Sequence, residues 1–455
     1  MIPSAFLARM REMPGLDFGA FCAALEEPAV RALRVNTLKT TAERLLPLLP
    51  FPASPLPFCA DAYYAESDKV GALPAHHAGM FYMQDPSAIC AVAAAEPKSG
   101  ITVLDLCAAP GGKSTQLAAA IGGDGVLIAN EIVPARCRIL QGNIERLGVT
   151  NAIVTNLAPA ALADFYGPCF DLVAADVPCS GEGMFRKYEV ASEEWSPEVV
   201  LACAARGREI MESAAACVRA GGRLLYSTCT FSLEENERNI DGFLTAHPEF
   251  SLVPVAAEIA NCTANGVNFT GCAHDLRLCR RFYPHLSPGE GQFVALLQKA
   301  SGEVTPPTAR DALAGALAPK EEKNVRNFLT ESLAASPRGR LARLRDAVYL
   351  APDFPVPPRG VFAAGVCVGT LAGDRLTPHH HFYSAFGRGF RRRLALSAND
   401  PRVARYLRGE EIEAPELAGE NGFAAVLFEG AALGGGKAVG GRLKNHYPKG
   451  LRNRG

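Results

Sequence analysis

The sequence lacks several features that would assign it to a familiar class. Among its 14 cysteines, no two stand at the Cys-x-x-Cys spacing of zinc knuckles and ribbons. It has no run of about 18 apolar residues, and its start, MIPSAFLARMREM, has no apolar h-region and no cleavage signature. These absences argue against a zinc module, a membrane span and a secreted disulfide scaffold. We expect a cytoplasmic protein with reduced thiols.

The chain also lacks a net charge of one sign. Its 46 Lys and Arg residues and 47 Asp and Glu residues leave a net charge of -1, so the whole chain shows no attraction to a polyanion. The charge is uneven, however, because residues 375–454 hold 14 basic and 7 acidic residues. Such asymmetry is typical of nucleic-acid contact through one end of a protein.

Composition and pattern predict several domains. The 455 residues, 48% hydrophobic and 20% charged, are globular in composition and long enough for about three domains. Strand and helix patterns alternate through the middle of the chain, which predicts a βαβ sheet. The predicted segments are a small α+β domain (1–72), the βαβ domain (73–300), a polar linker (301–325), a small mixed domain (326–372) and a basic β-rich domain (376–455).

The strongest local signal is a glycine-rich turn between a predicted strand and helix, LDLCAAPGGKSTQLA at 104–118. A P-loop would need glycine where Cys107 stands, so the GGKST sequence does not predict a nucleoside-triphosphate site. S-adenosylmethionine is the alternative ligand, because open α/β sheets bind ligands at this edge. Glu131 ends the next predicted strand, where a carboxylate can bind ribose hydroxyls. The simpler alternative is a tight turn with no ligand.

Two cysteines follow neighbouring predicted strands, in DVPCSGEG (176–183) and YSTCTFSLEENE (226–237). A thiolate that adds to the 6-position of cytosine makes the 5-position nucleophilic toward a methyl sulfonium, and a base must then remove the 5-proton. Asp176 could stabilise the intermediate by donating a hydrogen bond if burial keeps its carboxyl protonated. From spacing alone either Cys179 or Cys229 could be the nucleophile. We interpret the other twelve cysteines as small buried apolar residues.

These motifs together resemble a known family, the Sun-type RNA (cytosine 5-position) methyltransferases. The tail resembles the RsmF-like bacterial branch, which acts on 16S ribosomal RNA. The matching segments are RVNTLK (34–39), MQDPSA (83–88), CAAPGGKS (107–114), ANE (129–131), DVPCSGEG (176–183), STCTFSLEENE (227–237), YLRGEEI (406–412) and GKAVGGRLKNHYPKGLR (436–452).

The resemblance implies a fold and a division of labour. The fold would be a Rossmann-like class I methyltransferase domain with a mixed seven-stranded sheet and helices on both faces. A small N-terminal α+β domain of RNA-binding type and a C-terminal PUA-like β-rich domain would flank it. Cys229 would be the covalent nucleophile, Cys179 would assist product release, and Asp176 would lie between cofactor and base.

The resemblance also implies the binding residues. Those for S-adenosylmethionine would be Cys107, Ala108, Ala109, Pro110, Gly111, Gly112, Lys113, Glu131, Asn156, Ala158 and Asp176. Ala158 departs from the family, which usually has Asp there for the adenine amino group, so Asn156 would substitute or the contact would be lost. The expected RNA contacts are Lys113, Arg186, Lys187, Arg391, Arg392 and Lys444.

The expected partner is ribosomal RNA, and we expect a monomer with no metal and no membrane contact. Neither Cys nor carboxylate partners stand at ligand spacing from His379–His381, which we interpret as a polar loop. Two alternatives stay open: a transfer-RNA cytosine 5-methyltransferase, and a non-catalytic ribosome-assembly factor. Retention of both cysteines and Asp176 argues against the second.

Overall fold

The computed structural model describes residues 2–67, 69–303 and 315–453. Part of the predicted linker, residues 304–314, lies outside the described residues. The α-helices are α1 (Ser4–Arg11), α2 (Phe18–Glu26), α3 (Ala42–Leu45), α4 (Pro74–His77), α5 (Pro86–Ala95), α6 (Gly112–Ile121), α7 (Pro134–Arg146), α8 (Pro159–Tyr166), α9 (Glu189–Glu194), α10 (Pro197–Cys217), α11 (Glu237–Ala246), α12 (Ala257–Asn261), α13 (Pro319–Ser332), α14 (His380–Phe386) and α15 (Pro401–Leu407).

Four sheets are formed among the described residues by the following strands. They are β1 (Ala32–Val35), β2 (Ala53–Leu56), β3 (Cys59–Ala65), β4 (Phe81–Gln84), β5 (Thr102–Asp105), β6 (Val126–Asn130), β7 (Ala152–Thr155), β8 (Phe170–Asp176), β9 (Val218–Thr228), β10 (Phe250–Leu252), β11 (Ala264–Asn265), β12 (Arg280–Phe282), β13 (Gln292–Lys299), β14 (Arg340–Leu344), β15 (Ala347–Ala351), β16 (Val361–Ala364), β17 (Val366–Ala372), β18 (Arg375–Pro378), β19 (Arg393–Leu396), β20 (Ile412–Glu413), β21 (Gly422–Phe428), β22 (Ala431–Val439) and β23 (Arg442–Asn445).

The central sheet has the strand order β11-β12-β13-β9-β8-β5-β6-β7-β16, with β10 also paired to β13. Strands β9, β8, β5, β6 and β7 are parallel, and β13 runs antiparallel to β9. Side chains of successive strand residues pack into the cores on opposite faces of the sheet. Val103 and Leu127 lie in one core, and Leu104 and Ile128 lie in the other. Burial on both faces explains why these strands are short continuous apolar runs. The predicted mixed sheet between two helical layers is confirmed.

The sheet has ten strands rather than the predicted seven. One addition is β16, which pairs antiparallel with β7 and covers what would be an open sheet edge. Since β16 comes from 361–364, the segment predicted as a separate mixed domain contributes directly to the central sheet. The other strands of that segment form a four-stranded sheet with β18, in the order β14-β15-β17-β18.

The two ends of the chain build one core. The N-terminal sheet has the order β2-β3-β1-β4, so it extends past the predicted boundary at residue 72. The C-terminal sheet has the order β19-β21-β22-β23-β20, with β19 parallel to β21. Leu33 and Phe81 of the first sheet pack in the same buried cluster as Leu394 and Val426 of the second.

The histidine tract is not the polar loop that the sequence suggested. His379 caps α14, and His380 and His381 are buried. The ring Nε2 of His381 lies 2.9 Å from the carbonyl oxygen of Val149, which joins α14 to the central domain. Burial lowers the pKa of His381 to about 3, so the ring is neutral. Among the described residues, no helix has both the length and the apolarity to cross a membrane.

Candidate active site

The glycine-rich turn joins β5 to α6 at the carboxyl edge of the central sheet. Gly111 has a φ of 112°, and a Cβ there would lie 3.1 Å from Cδ1 of Leu140, so both backbone and packing favour glycine. The Ser114 hydroxyl donates to Oδ2 of Asp105 at 2.7 Å. Burial raises the pKa of Asp105 to about 7. These contacts fix the turn against the end of β5.

Helix α6 begins without a capping side chain, so its first N–H groups have no side-chain acceptor. The N-terminal domain supports this turn from the other side. The Arg34 guanidinium donates to the Gly112 carbonyl at 3.2 Å and to Oγ1 of Thr115 at 2.8 Å. An uncapped helix start of this kind can bind a carboxylate group.

Glu131 directly follows β6 at the same edge and is only 2% exposed. Its Oε1 accepts from the backbone N–H of Val133 at 2.8 Å, and its Oε2 lies 3.3 Å from Nη1 of Arg136. Arg136 also donates to the Ala109 carbonyl at 2.9 Å, so one guanidinium links the carboxylate to the glycine-rich turn. The pair of contacts places a fixed carboxylate beside that turn.

Asn156 connects the chain segments that follow β6 and β7. Its side-chain nitrogen donates to the Glu131 carbonyl at 2.6 Å, which holds the chain after β7 against the chain after β6. Ala158 caps α8 and offers no polar side chain. Contact of either residue with adenine stays a prediction.

These groups fit S-adenosylmethionine. Its carboxylate suits the free N–H groups of α6, and its ribose hydroxyls suit the carboxylate of Glu131. Cys107, Ala108, Ala109 and Pro110 form the turn between them, and Ala108 and Ala109 are buried.

Lys113 and Asp176 meet across the site. Nζ of Lys113 donates to Oδ2 of Asp176 at 2.8 Å. Burial opposes the charge of Lys113, but Asp176 outweighs it and raises the pKa of the lysine. The Asp176 side chain is 31% exposed and accepts a hydrogen bond from Lys113, so in this arrangement it is an acceptor. Donation of a hydrogen bond from Asp176 to the reaction intermediate stays a prediction.

The sequence reasoning missed two residues that hold Asp176. Its Oδ1 accepts from Oγ of Ser227 at 2.7 Å and from Nε2 of Gln292 at 3.2 Å. Ser227 stands inside the STC motif, so its position carried a signal. Gln292 begins β13 without any motif, and only the pairing of β13 with β9 brings it to the site.

Both candidate cysteines lie at this edge, on the loops after β8 and β9. Sγ of Cys179 and Sγ of Cys229 are 3.3 Å apart. The Cys229 sulfur and burial raise the pKa of Cys179, so Cys179 is a thiol that can donate to Cys229. The two thiols therefore lie close together, and Cys229 is near enough to Lys113 to influence its charge.

The predicted RNA contacts divide into two groups. The structure does not support the predicted RNA contact of Arg186, because its side chain is 7% exposed and pairs with Glu290 at 2.8 Å. Its other guanidinium nitrogens donate to the carbonyls of Ala24 and Gly289, so all of its nitrogens have partners within the protein and it joins domains. It borders the same open cavity as Lys187. Lys187 pairs with Asp85 at the start of α5 and lines an open cavity of about 310 Å³.

The remaining candidates lie on the C-terminal domain. Arg391 and Lys444 are exposed, and Arg392 is half-buried beside Glu420. Among the described residues, no group of three or more His, Cys, Asp and Glu side chains is placed to hold a metal ion.

The fold and this site define a class I methyltransferase with a pair of thiols beside its cofactor loop. The chain belongs to the RsmB/F family of 16S rRNA methyltransferases. Its family model matches residues 92–298, and models for the N-terminal domain of 16S rRNA methyltransferase RsmF and for the RsmF PUA domain match residues 2–86 and 393–453.

Similar proteins support the same assignment over nearly the whole chain. Ribosomal RNA small subunit methyltransferase F of Klebsiella pneumoniae is 33% identical, with 99% of this chain and 96% of that protein covered. The protein of that name from Enterobacter sp. is 32% identical, with 99% and 95% covered.

Solved structures match about two thirds of this chain. A methyltransferase homolog protein from Pyrococcus horikoshii has a TM-score of 0.58 and 26% identity, covering 65% of this chain and 95% of that chain. NSun6 from the same organism, solved with SFG, has a TM-score of 0.57 and 22% identity, covering 66% of this chain and 99% of that chain, which supports the fold alone.

Proposed function

We propose that this chain methylates the 5-position of cytosine in 16S ribosomal RNA, with Cys229 as the covalent nucleophile and Cys179 as the residue that assists release. Family membership makes the chain an S-adenosylmethionine-dependent RNA methyltransferase. The observation that carries the proposal is the 3.3 Å separation of the two sulfurs, and the raised pKa of Cys179 is what distinguishes the two roles.

Cys229 starts the reaction when its thiolate adds to the 6-position of the cytosine ring and the ring becomes nucleophilic at its 5-position. When bound, S-adenosylmethionine supplies an electrophilic methyl group for that carbon. The bond between Cys229 and the ring then breaks as the 5-proton leaves, which restores the aromatic ring and frees the thiolate.

Cys179 is placed to act in the second half of this sequence. Its raised pKa keeps the proton on it in the resting site, where it can donate to the sulfur of Cys229. Once Cys179 has passed that proton to solvent, its thiolate is a strong base, which suits removal of the 5-proton.

Lys113 and Asp176 orient the ring from the side. Asp176 accepts hydrogen bonds from three side chains and so has a fixed position. A cytosine amino group that approaches it would find an acceptor. Lys113 carries a positive charge next to the reacting ring, where developing negative charge is stabilised.

The relatives are named as small-subunit ribosomal RNA methyltransferases, which supports 16S RNA as the substrate class. The exposed Arg391 and Lys444 and the half-buried Arg392 of the C-terminal domain suit phosphate contacts that position RNA without reading its sequence. A target cytosine must leave its stack to reach thiols at the sheet edge. A ribosomal RNA substrate supports a cytoplasmic location for the chain.

The test compares Cys229→Ser and Cys179→Ala for covalent RNA adducts on denaturing gels. We expect Cys179→Ala to accumulate adduct, because release stalls, and Cys229→Ser to form none. An adduct with Cys229→Ser would overturn the assignment of the nucleophile.

The substrate class needs a separate measurement. Bisulfite mapping of ribosomal and transfer RNA, with and without the chain, should show a new 5-methylcytosine in 16S RNA. Modification confined to transfer RNA, or no modification at all with S-adenosylmethionine bound, would replace the proposed substrate or the proposed activity.

A further inference from the structure

Two buried carboxylates connect the loops that carry the cysteines. Glu182 lies on the loop after Cys179, and Glu235 lies on the loop after Cys229. Each side chain reaches across to the other loop, and each residue is only 1% exposed. The donors that hold both carboxylates are neutral N–H and O–H groups.

Glu235 reaches the residue that follows Cys179. Its Oε1 accepts from the backbone N–H of Ser180 at 2.7 Å, and its Oε2 accepts from the Ser180 hydroxyl at 2.6 Å. On its own loop, Oε2 also accepts from the Ser232 hydroxyl at 2.7 Å. One carboxylate therefore ties a point next to Cys179 to a point three residues after Cys229.

Glu182 makes the reverse connection. Its Oε2 accepts from the backbone N–H of Phe231, two residues after Cys229, at 2.8 Å, and its Oε1 accepts from Nε1 of Trp195 at 3.1 Å. Next to it, the backbone N–H of Gly183 donates to the Cys229 carbonyl at 2.9 Å. A Cβ at Gly183 would lie only 2.9 Å from that oxygen, so the two loops are in direct contact.

Burying two carboxylates with no cationic donor is unfavourable unless their hydrogen bonds compensate. The hydrogen bonds of the two glutamates hold the loops together where the two sulfurs are in contact. We propose that Glu182 and Glu235 form a reciprocal carboxylate clasp that holds Cys179 against Cys229, and that Glu235 is thereby a positioning residue for the release step. The part that concerns release rests on the proposed function, while the part that concerns sulfur placement does not.

The first experiment measures sulfur placement without RNA. Diamide joins two neighbouring thiols: each thiol loses a hydrogen, a sulfur–sulfur bond forms, and the N=N bond of diamide is reduced to N–N. The rate of the Cys179–Cys229 disulfide is followed in the full-length chain by mass spectrometry of proteolytic fragments. Glu234→Gln is the matched control, because the neighbouring Glu234 instead pairs with Arg9.

We expect the native chain and Glu234→Gln to form the disulfide at similar rates. Glu235→Gln should form it about tenfold more slowly, since the amide replaces one acceptor oxygen by a donor that faces other donors. Calorimetry of S-adenosylmethionine binding verifies folding. Ser180→Ala removes one donor and leaves the carboxylate in place, so a smaller slowing is expected. If Glu235→Gln does not fold, the disulfide rate of Ser180→Ala tests the clasp instead. Unchanged rates in the folded variants would overturn the clasp.

The second experiment tests release. If Glu235 positions Cys179, Glu235→Gln should accumulate RNA adduct as Cys179→Ala does, while its turnover falls. A parallel loss of adduct and methylation would show a merely structural role and overturn the positioning assignment. Absence of adduct in Cys179→Ala itself would count against the proposed function, and the diamide rates would still decide the clasp.

Discussion

At the scale of the residue, the site places ionisable groups whose protonation is set by their surroundings. Cys179 keeps its proton because the neighbouring Cys229 sulfur and partial burial raise its pKa. Asp176 accepts from Lys113 and two neutral donors. Asp105, a short distance along the chain from the cofactor turn, is held by Ser114 in a fully buried position.

Asp105 predicts a pH dependence of stability. Burial raises its pKa in the folded chain to about 7, above its value in the unfolded chain. Between those two pKa values the folded chain holds a proton that the unfolded chain has lost, so stability falls as pH rises through this window. From about pH 5 to about pH 7 the native chain should lose about 2 kcal/mol more than Asp105→Asn, which cannot ionise.

Urea unfolding at the two pH values measures this difference. The difference between the chains isolates Asp105, because both share every other titrating group. Equal losses in the native chain and in Asp105→Asn would show that Asp105 is ionised throughout.

At the scale of the element, the turn between β5 and α6 depends on backbone shape as much as on side chains. Gly111→Ala puts a Cβ in a backbone region that costs about 1–2 kcal/mol for most residues and presses it against Leu140. We expect lower stability by about that amount and about tenfold weaker S-adenosylmethionine binding by calorimetry, because the start of α6 shifts.

Gly123→Ala is the control for this substitution. Gly123 follows α6, and a Cβ there would meet no heavy atom within 4 Å. It should leave binding unchanged. If both variants bound as the native chain does, the turn would not be the cofactor site.

The elements of the central domain could be predicted from sequence, because their signals are local. The apolar run at 170–176 predicts a strand, which coincides with β8, and the pattern at 198–218 predicts a helix, which differs from α10 by one residue at each end. The pattern at 233–246 also predicts a helix, but α11 begins only at Glu237, since residues 233–236 turn back toward the cysteines. Strand β16 could not be foreseen, because its partner β7 lies about 200 residues away and pairing at that distance leaves no local pattern.

Site residues that stand in sequence motifs could be predicted, and site residues that only tertiary packing brings together could not. The turn, Glu131 and both cysteines stand in motifs, and the structure brings them to one sheet edge. Arg186 looked like an RNA contact because a basic residue after a motif shows charge but not burial. Its partner Glu290 is 104 residues away, so only the folded chain shows the ion pair.

At the scale of the whole molecule, three domains meet around Lys39. Its Nζ donates to the carbonyls of Ala78, Arg146 and Ala432 at 2.8, 3.0 and 3.2 Å. Burial lowers the pKa of Lys39 to about 7. Removing residues 376–455 would therefore expose a shared core as well as remove basic residues, so the role of the tail in RNA binding needs surface substitutions.

Replacing exposed Arg391 and Lys444 together by Gln should weaken 16S RNA binding and reduce the slope of log affinity against log salt by about 1–2, because each phosphate contact contributes about 0.7–0.9. Binding titrations over a range of salt concentrations measure the slope. Arg326→Gln is the control, because Arg326 is an exposed residue of α13 and pairs with Glu322. An unaltered slope in the double variant would rule these two residues out as phosphate contacts.

The shared core of the two chain ends has a consequence for biosynthesis. Leu33 and Phe81 emerge early from the ribosome, but Leu394 and Val426, which cover them, emerge near the end. His77 completes its hydrogen bonds only when Tyr447 and Asn453 arrive. A prematurely terminated product thus keeps an exposed apolar surface on its N-terminal sheet, which chaperones and proteases recognise before the product can modify any RNA.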